Sequence, residues 1–322
     1  MRGEHTKMGQ FDKEWNRVLE NIMLNGVWQK EEHVRAKWDD GTPAPAKFVT
    51  GEKMVFDNSE ALVPTTKEIK RKSPLRELKW IWFLKSNVVQ KLRDLGSSIW
   101  DKWEIKEGEW TGTIGPAYGH QLGKQCRKFP VEKLRWEHLH PEHAVELRQM
   151  IEDALAQGFI IKYVMLDQVD FLIQGLLTNP GSRRYILSLW GIEDLDYMAL
   201  EPCVWKTGWQ YVDGKIDLIT GVRSNDICVG NPFNVFQYQV LWNLICQVTG
   251  HTPGKIQFDL DNPHIYDRHI PEAMKQLVYP QKTAPKLWIN PDIKNFYDFN
   301  PDTDVKLIDY EHGPDRYYEV AE

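Results

Sequence analysis

No two cysteines stand in a C-x-x-C arrangement anywhere in the 322 residues. Cys126, Cys203, Cys228 and Cys246 are scattered, which argues against a zinc knuckle or a dithiol redox motif. No apolar run approaches the roughly 18 residues that a membrane span requires, and the opening Met-Arg-Gly-Glu-His-Thr-Lys has no apolar leader core. These features predict a cytoplasmic protein with no membrane partner. Basic charge is not in excess either. Forty Lys and Arg against 46 Asp and Glu leave a net charge of −6, so there is no chain-wide footprint for DNA, although a local patch remains compatible with it. Phosphate-loop and dinucleotide glycine patterns are missing, and nothing points to a nicotinamide cofactor.

What is present is an ordinary globular balance, 42% hydrophobic and 27% charged, which excludes a disordered chain. At about 150 residues per domain the length suggests two domains, though one large α/β unit can absorb it. The 14 Trp suit a big core or a site that stacks a ring.

Apolar residues at helical spacing predict a helix over 10–24, with Gly26 as its stop. Short strands are expected at 47–50 and 53–56 after the turn Asp39-Asp40-Gly41-Thr42-Pro43. Pro74 opens a helix over 75–84, and another covers 88–95. Residues 96–125 read as loop. The stretch 127–165 changes character, then a helix covers 167–177. Strands follow at 184–190, 203–212 and 215–223, with Asp213-Gly214 as a hairpin turn. A helix over 233–248 and strands at 256–260 and 286–289 complete the pattern. Irregular interleaving of strands and helices favours an α+β chain with α/β layering, built on one large mixed sheet covered by helices.

Cys203 follows Glu201-Pro202. On its own it reads as a core thiol, because reactivity needs an electropositive, partly open setting. Its surroundings in sequence point elsewhere. Upstream stands Asn179-Pro180-Gly181-Ser182-Arg183-Arg184, and downstream Arg223-Ser224-Asn225-Asp226, then Gly230-Asn231-Pro232-Phe233-Asn234, then Asp261-Asn262-Pro263-His264-Ile265-Tyr266. This ordered string resembles the thymidylate synthase family. Glu77, Ile99-Trp100-Asp101-Lys102-Trp103 and Gly115-Pro116-Ala117-Tyr118-Gly119 also fit it. The resemblance covers about residues 10–320 apart from 127–165, which implies a single domain over 1–322 with 127–165 as an insertion subdomain.

The resemblance implies reductive methylation of deoxyuridine monophosphate (dUMP) to the thymidine nucleotide. 5,10-Methylenetetrahydrofolate would supply both carbon and hydride, with no metal and no nicotinamide. Cys203 would attack uracil C6, with its thiolate favoured by Arg223, which would also hold phosphate together with Ser224. Arg183 and Arg184 would reach across a homodimer to the partner's phosphate; in isolation they read as a solvated pair. Asn234 would read the uracil edge, a role that could coexist with capping a helix. His264 and Tyr266 would bind the deoxyribose. Glu77 would shuttle protons, although alone it reads as a solvated glutamate, and Tyr118 would sit near the C5 proton. Trp100, Trp103, Asp226, Gly230, Phe233 and the tail residue Ala321 would meet the folate; the tryptophans alone read as core. Either Arg35 or Lys37 could be a further phosphate ligand.

Two departures stand out. Val204 follows the nucleophile where many members have histidine, and the chain ends in Glu322 rather than an apolar residue. The second keeps open a dUMP 5-hydroxymethylase of the same fold. A non-catalytic nucleotide- or RNA-binding relative is the third reading. His138, His140 and His143 lie close in sequence, but the absence of an i,i+4 pair favours a solvated loop over a metal site.

Overall fold

Phe11, Trp15, Val18, Leu19 and Ile22 share one buried stripe of α1 (Gln10–Asn25), and the extended Gly26 ends it. The computed structural model describes residues 8–321; Glu322 lies outside the described residues. In chain order there follow β1 (Val27–Trp28), β2 (Ala46–Phe48), β3 (Glu52–Asp57), α2 (Lys72–Leu78), α3 (Val89–Asp94), α4 (Gly119–Gly123) and β4 (Arg127–Pro130). Next come α5 (Pro141–Ala156), β5 (Tyr163–Leu166), α6 (Gln168–Thr178), β6 (Ile186–Ser188), β7 (Val204–Val212), β8 (Lys215–Val222) and β9 (Asn225–Asp226). The chain closes with α7 (Gly230–Thr249), β10 (Thr252–Leu260), β11 (Pro263–Tyr266), α8 (Ile270–Leu277), β12 (Lys286–Ile289) and β13 (Val305–Ile308).

The mixed sheet has five strands in the order β3-β10-β8-β7-β6, with β10 parallel to β8 and the other pairs antiparallel. A second sheet, β1-β2-β11-β9, lies beside it. One face of the larger sheet carries Met54, Phe56, Ile256, Phe258, Leu218 and Trp209, all buried. Against it packs α7, whose Phe236, Leu241, Trp242 and Ile245 are buried. The other face shows a row running across all five strands: Val55, Gln257, Ile219, Gly208 and Ile186. Its ends stay open to solvent, Val55 at 45% and Ile186 at 54%.

Several boundaries move. The helix expected from Pro74 starts at Lys72, and its continuation Lys79–Phe83 widens into a π-helical turn. The helix expected from Phe233 starts at Gly230, because Pro232 fits a first turn that has no acceptor for its missing N–H. The strand expected over 184–190 shrinks to β6. Asp213 (φ 48°) and Gly214 (φ 79°) form the hairpin turn between β7 and β8, as the pair requires.

Residues 127–166 form a unit of their own, with β4 antiparallel to β5 and α5 between them. Phe129, Leu134, Leu139, Leu147, Val164 and Leu166 make a small separate core. The solvated loop expected around His143 is not what forms. His143 lies in the first turn of α5, 7% exposed, with Nδ1 3.0 Å from Asp170 Oδ2. His140 packs edge-on against Tyr297 at 4.7 Å. Asp170 also accepts from the Tyr297 hydroxyl at 2.6 Å, and the Lys85 ammonium stands 3.8 Å away while pairing with Asp167. That ammonium supplies the cation which two buried carboxylates need.

Candidate active site

Cys203 sits just before β7, where the β7–β8 register slips between Val204 and Lys206. Such a bulge bends the strand and re-aims the residues beside it. The carbonyl of Cys203 accepts from the Arg223 backbone N–H at 2.9 Å. The Arg223 side chain turns back on the same loop, donating from Nε to Pro202 O (3.1 Å) and from Nη2 to Glu201 O (2.7 Å). Its guanidinium lies 5.4 Å from the Trp190 ring centre. Arg223 thus fixes the Cys203 loop, and its Nη1 is without a partner among the described residues. Burial pushes the Cys203 thiol up; Arg223 draws it down but is outweighed, and Glu77 adds to the rise. The expected thiolate-favouring arginine is in place, yet the net direction is upward.

Tyr118 reaches Cys203 from another direction. Its hydroxyl oxygen accepts the Cys203 backbone N–H at 3.1 Å. Its backbone is held at φ 47°, ψ −105°, a conformation that costs energy and persists only where the surroundings enforce it. The next residue must be glycine, since a Cβ on Gly119 would lie 2.4 Å from the Ser86 backbone. The Tyr118 ring meets Trp100 edge-on at 5.2 Å, and Trp100 meets Trp103 at 5.4 Å.

Glu77 is the hub on the helical side. Trp100 Nε1–H donates to its Oε1 at 2.5 Å and Gln237 Nε2–H to its Oε2 at 2.9 Å. Burial raises its pKa, with both hydrogen bonds opposing. The solvated reading of Glu77 is therefore overturned. Gln237, which holds Glu77, lies outside the motifs named above. Its signal was available: a polar side chain inside the apolar run of α7, which also ties to Pro74 O at 3.0 Å. Trp190 under Arg223 was missed as well.

Asp226 ends β9. Its Oδ1 accepts from the backbone N–H groups of Cys228 (2.8 Å) and Val229 (3.2 Å), while Oδ2 is unbonded among the described residues. Its charge acts on Cys203, His264 and Tyr266. His264 is buried, held by Nδ1 to Asn262 O at 3.1 Å, and burial lowers its pKa. Tyr266 meets it edge-on at 5.1 Å, and burial raises the phenol.

Asn234 does not cap a helix. Because α7 begins at Gly230, Asn234 lies inside its first turns, half-buried, with an amide that bonds nothing among the described residues. Gly230 faces it: a Cβ there would stand 3.8 Å from Asn234 Oδ1. Phe233 and Ser224 are half-buried.

Arg183 and Arg184 do not join this group. They are exposed ahead of the edge strand β6, with no ion pair among the described residues. Arg35 and Lys37 are exposed too. Near its end the chain is anchored by Tyr318, whose hydroxyl donates to Gln276 Oε1 at 2.8 Å. The carboxylate of Glu319 accepts from the Asp39 backbone at 2.9 Å. Ala321 is half-buried beyond these anchors.

The thymidylate synthase family profile matches residues 13–322. The thymidylate synthase of Bacillus licheniformis is 45% identical over 315 residues, covering 98% of this chain and 100% of its own. Thymidylate synthase 1 of Bacillus subtilis (strain 168) is 44% identical with the same coverage. Among solved structures, thermostable thymidylate synthase A from Bacillus subtilis matches with a TM-score of 0.82 at 43% identity, over 98% of this chain and 100% of that one.

Proposed function

The chain belongs to the thymidylate synthase family, and on that premise we propose how its own residues divide the work. It is a methyltransferase that converts dUMP to the thymidine nucleotide, with 5,10-methylenetetrahydrofolate as co-substrate. The observation that carries our assignment of roles is the continuous chain Cys203–Tyr118–Trp100–Glu77–Gln237, in which the backbone N–H of Cys203 and the Glu77 carboxylate are joined through aromatic groups.

Cys203 is the nucleophile for uracil C6. Arg223 holds its loop and turns a free nitrogen toward the phosphate, with Ser224 beside it. Glu77, whose pKa burial raises, moves protons on the pyrimidine. Tyr118 stands by the C5 proton. Asn234 reads the base: its unbonded amide can donate to one uracil atom and accept from the next, which cytosine would not satisfy. His264 and Tyr266 take the deoxyribose. The folate co-substrate supplies the one-carbon unit and the hydride. Asp226 fits its ring, because one carboxylate oxygen is fixed by two backbone N–H groups and the other is available. Trp100, Trp103, Gly230, Phe233 and Ala321 line that side and exclude water. In this reading neither a resident metal nor a nicotinamide takes part in the methylation.

The enzyme acts as a homodimer in this reading. The open sheet row from Val55 to Ile186 offers a self-complementary face, and Arg183 and Arg184 lie beside it with no partner of their own. We take 1–322 as one domain with 127–165 inserted. No helix among the described residues is long and apolar enough to cross a membrane, and we place the enzyme in the cytoplasm with neither membrane nor DNA as partner. The family match and the named relatives favour this reading over the 5-hydroxymethylase and the non-catalytic binder. The test is mass spectrometry of the product from dUMP and methylene-folate. Equal amounts of methyl nucleotide and dihydrofolate are expected; release of the hydroxymethyl nucleotide would reverse the assignment.

A further inference from the structure

His269 is 2% exposed, and its two ring nitrogens have opposite fates. Nε2 lies 2.7 Å from the Glu319 backbone carbonyl. A carbonyl only accepts, so Nε2 carries a proton, and in that tautomer Nδ1 offers a lone pair. That Nδ1 is buried without a hydrogen-bond partner. An orphaned buried acceptor is costly and calls for an explanation. What it faces is Asp226, whose Oδ1 is 3.8 Å away. Cys228 Sγ completes a triangle in which all three atoms lie within 4.8 Å of one another.

We propose that Asp226, Cys228 and His269 form a binding site for a zinc-like divalent transition metal, and that the metal competes with folate for Asp226. Imidazole nitrogen, thiolate and carboxylate are the zinc donor set, and tetrahedral ligation puts donor atoms about 3.3–3.6 Å apart. The Nδ1–Oδ1 separation exceeds that by only a few tenths of an ångström. The surroundings are also those of metal ligands. A ligating histidine usually donates its second N–H to a carbonyl or carboxylate, as Nε2 does here to Glu319. The carboxylate is oriented by the N–H groups of Cys228 and Val229. Asp226 keeps a solvent-reached edge, 17% exposed, through which an ion enters and a water can fill the fourth position.

The charges nearby set the conditions. A thiol must lose its proton to become a ligand, so binding strengthens as pH rises. Lys67 works toward the thiolate; its ammonium donates to Cys228 O at 2.8 Å and lies 4.6 Å over the Tyr318 ring. Binding exchanges a thiol proton for the ion and involves no electron transfer. The competition with folate rests on the assignment of Asp226 made above, while the binding itself does not.

The test is cobalt(II) titration of the full chain carrying Cys203→Ser and Cys126→Ser, which removes the nucleophile and the exposed thiol. One equivalent should bind with a thiolate-to-cobalt charge-transfer band. Cys228→Ser should abolish the band, and His269→Gln should weaken binding by tenfold or more. No band, or a band that survives Cys228→Ser, would overturn the site. With otherwise wild-type enzyme, zinc should inhibit competitively against methylene-folate and not against dUMP, and Cys228→Ser should relieve this with basal turnover intact. Saturable cobalt–thiolate binding without folate competition would uphold the metal site and remove folate from Asp226.

Discussion

The indole N–H of Trp100 holds one oxygen of Glu77 at 2.5 Å, so the ring assigned to the folate and the carboxylate assigned to the proton are one unit. That bond pulls the Glu77 pKa down, against burial, which pushes it up. Removing it in Trp100→Phe should let the pKa climb further. The acid limb of kcat against pH should then move to higher pH, and turnover near neutrality should fall by about tenfold or more. An unmoved limb would separate the two residues.

Free Cys203 is a protonated thiol at neutral pH, because burial outweighs Arg223. Its alkylation by iodoacetamide should be slow at pH 7 and should accelerate only above the ordinary thiol value of 9.0. Cys203→Ser should lose several orders of magnitude in turnover while still binding dUMP, since the phosphate ligands remain. Rapid alkylation at pH 7, or near-normal turnover of the serine variant, would remove this account of the nucleophile.

Mixing inactive Cys203→Ser and Arg183→Ala chains should restore partial activity. In a dimer with shared sites, one of the two sites in each mixed pair has both groups intact. Failure of recovery after mass spectrometry has shown subunit exchange would count against an arginine donated by the partner.

Asn234→Asp should lower the preference for uracil over cytosine nucleotide by at least tenfold. A protonated carboxyl, or a carboxylate facing the cytosine amino group, satisfies what the amide cannot. A preference unchanged by the substitution would leave the unbonded amide without a role in reading the base.

The hydrogen bond from His143 to Asp170 raises the histidine pKa in the folded chain. A group whose folded pKa is raised stabilises fully below its unfolded value, here 6.5, and loses that contribution as pH rises through the folded one. The unfolding free energy of wild type, from urea titration, should therefore exceed that of His143→Gln most at pH 5.5, and the gap should narrow as pH rises above 6.5. A gap constant with pH would mean that only packing is at stake.

The amphipathic stripe of α1, the Asp213-Gly214 turn and the ordered motifs around Cys203 were legible from residues, because each depends on near neighbours in the chain. The misses share a cause in contacts distant in sequence. β11 was read as a binding motif and not as a strand, since four residues become a strand only when β2 and β9 flank them. Gln237 is 160 positions from Glu77. His143 looked solvated because Asp170 and Lys85, which bury it, lie on other elements. Asn234 reads as a cap in the sequence, but α7 begins four residues before it.

The unit at 127–166 leaves and rejoins the body through a single doorway. Arg127 pairs with Leu166, and Cys126 N donates to Leu166 O at 3.1 Å. Two chain ends held side by side can be closed by a short turn at little entropic cost. What lies between them is therefore free to lengthen, shrink or be exchanged over generations without moving Cys203 or Glu77. Given up with it would be the ties from His143 and His140 to Asp170, the two-way pair between Arg135 and Gln174, the contacts of His140 with Tyr297 and of Gln125 with His143, and the bonds from Asn295 to the Glu137 and Leu139 carbonyls. The chemistry and the ornament of this chain can evolve at separate rates.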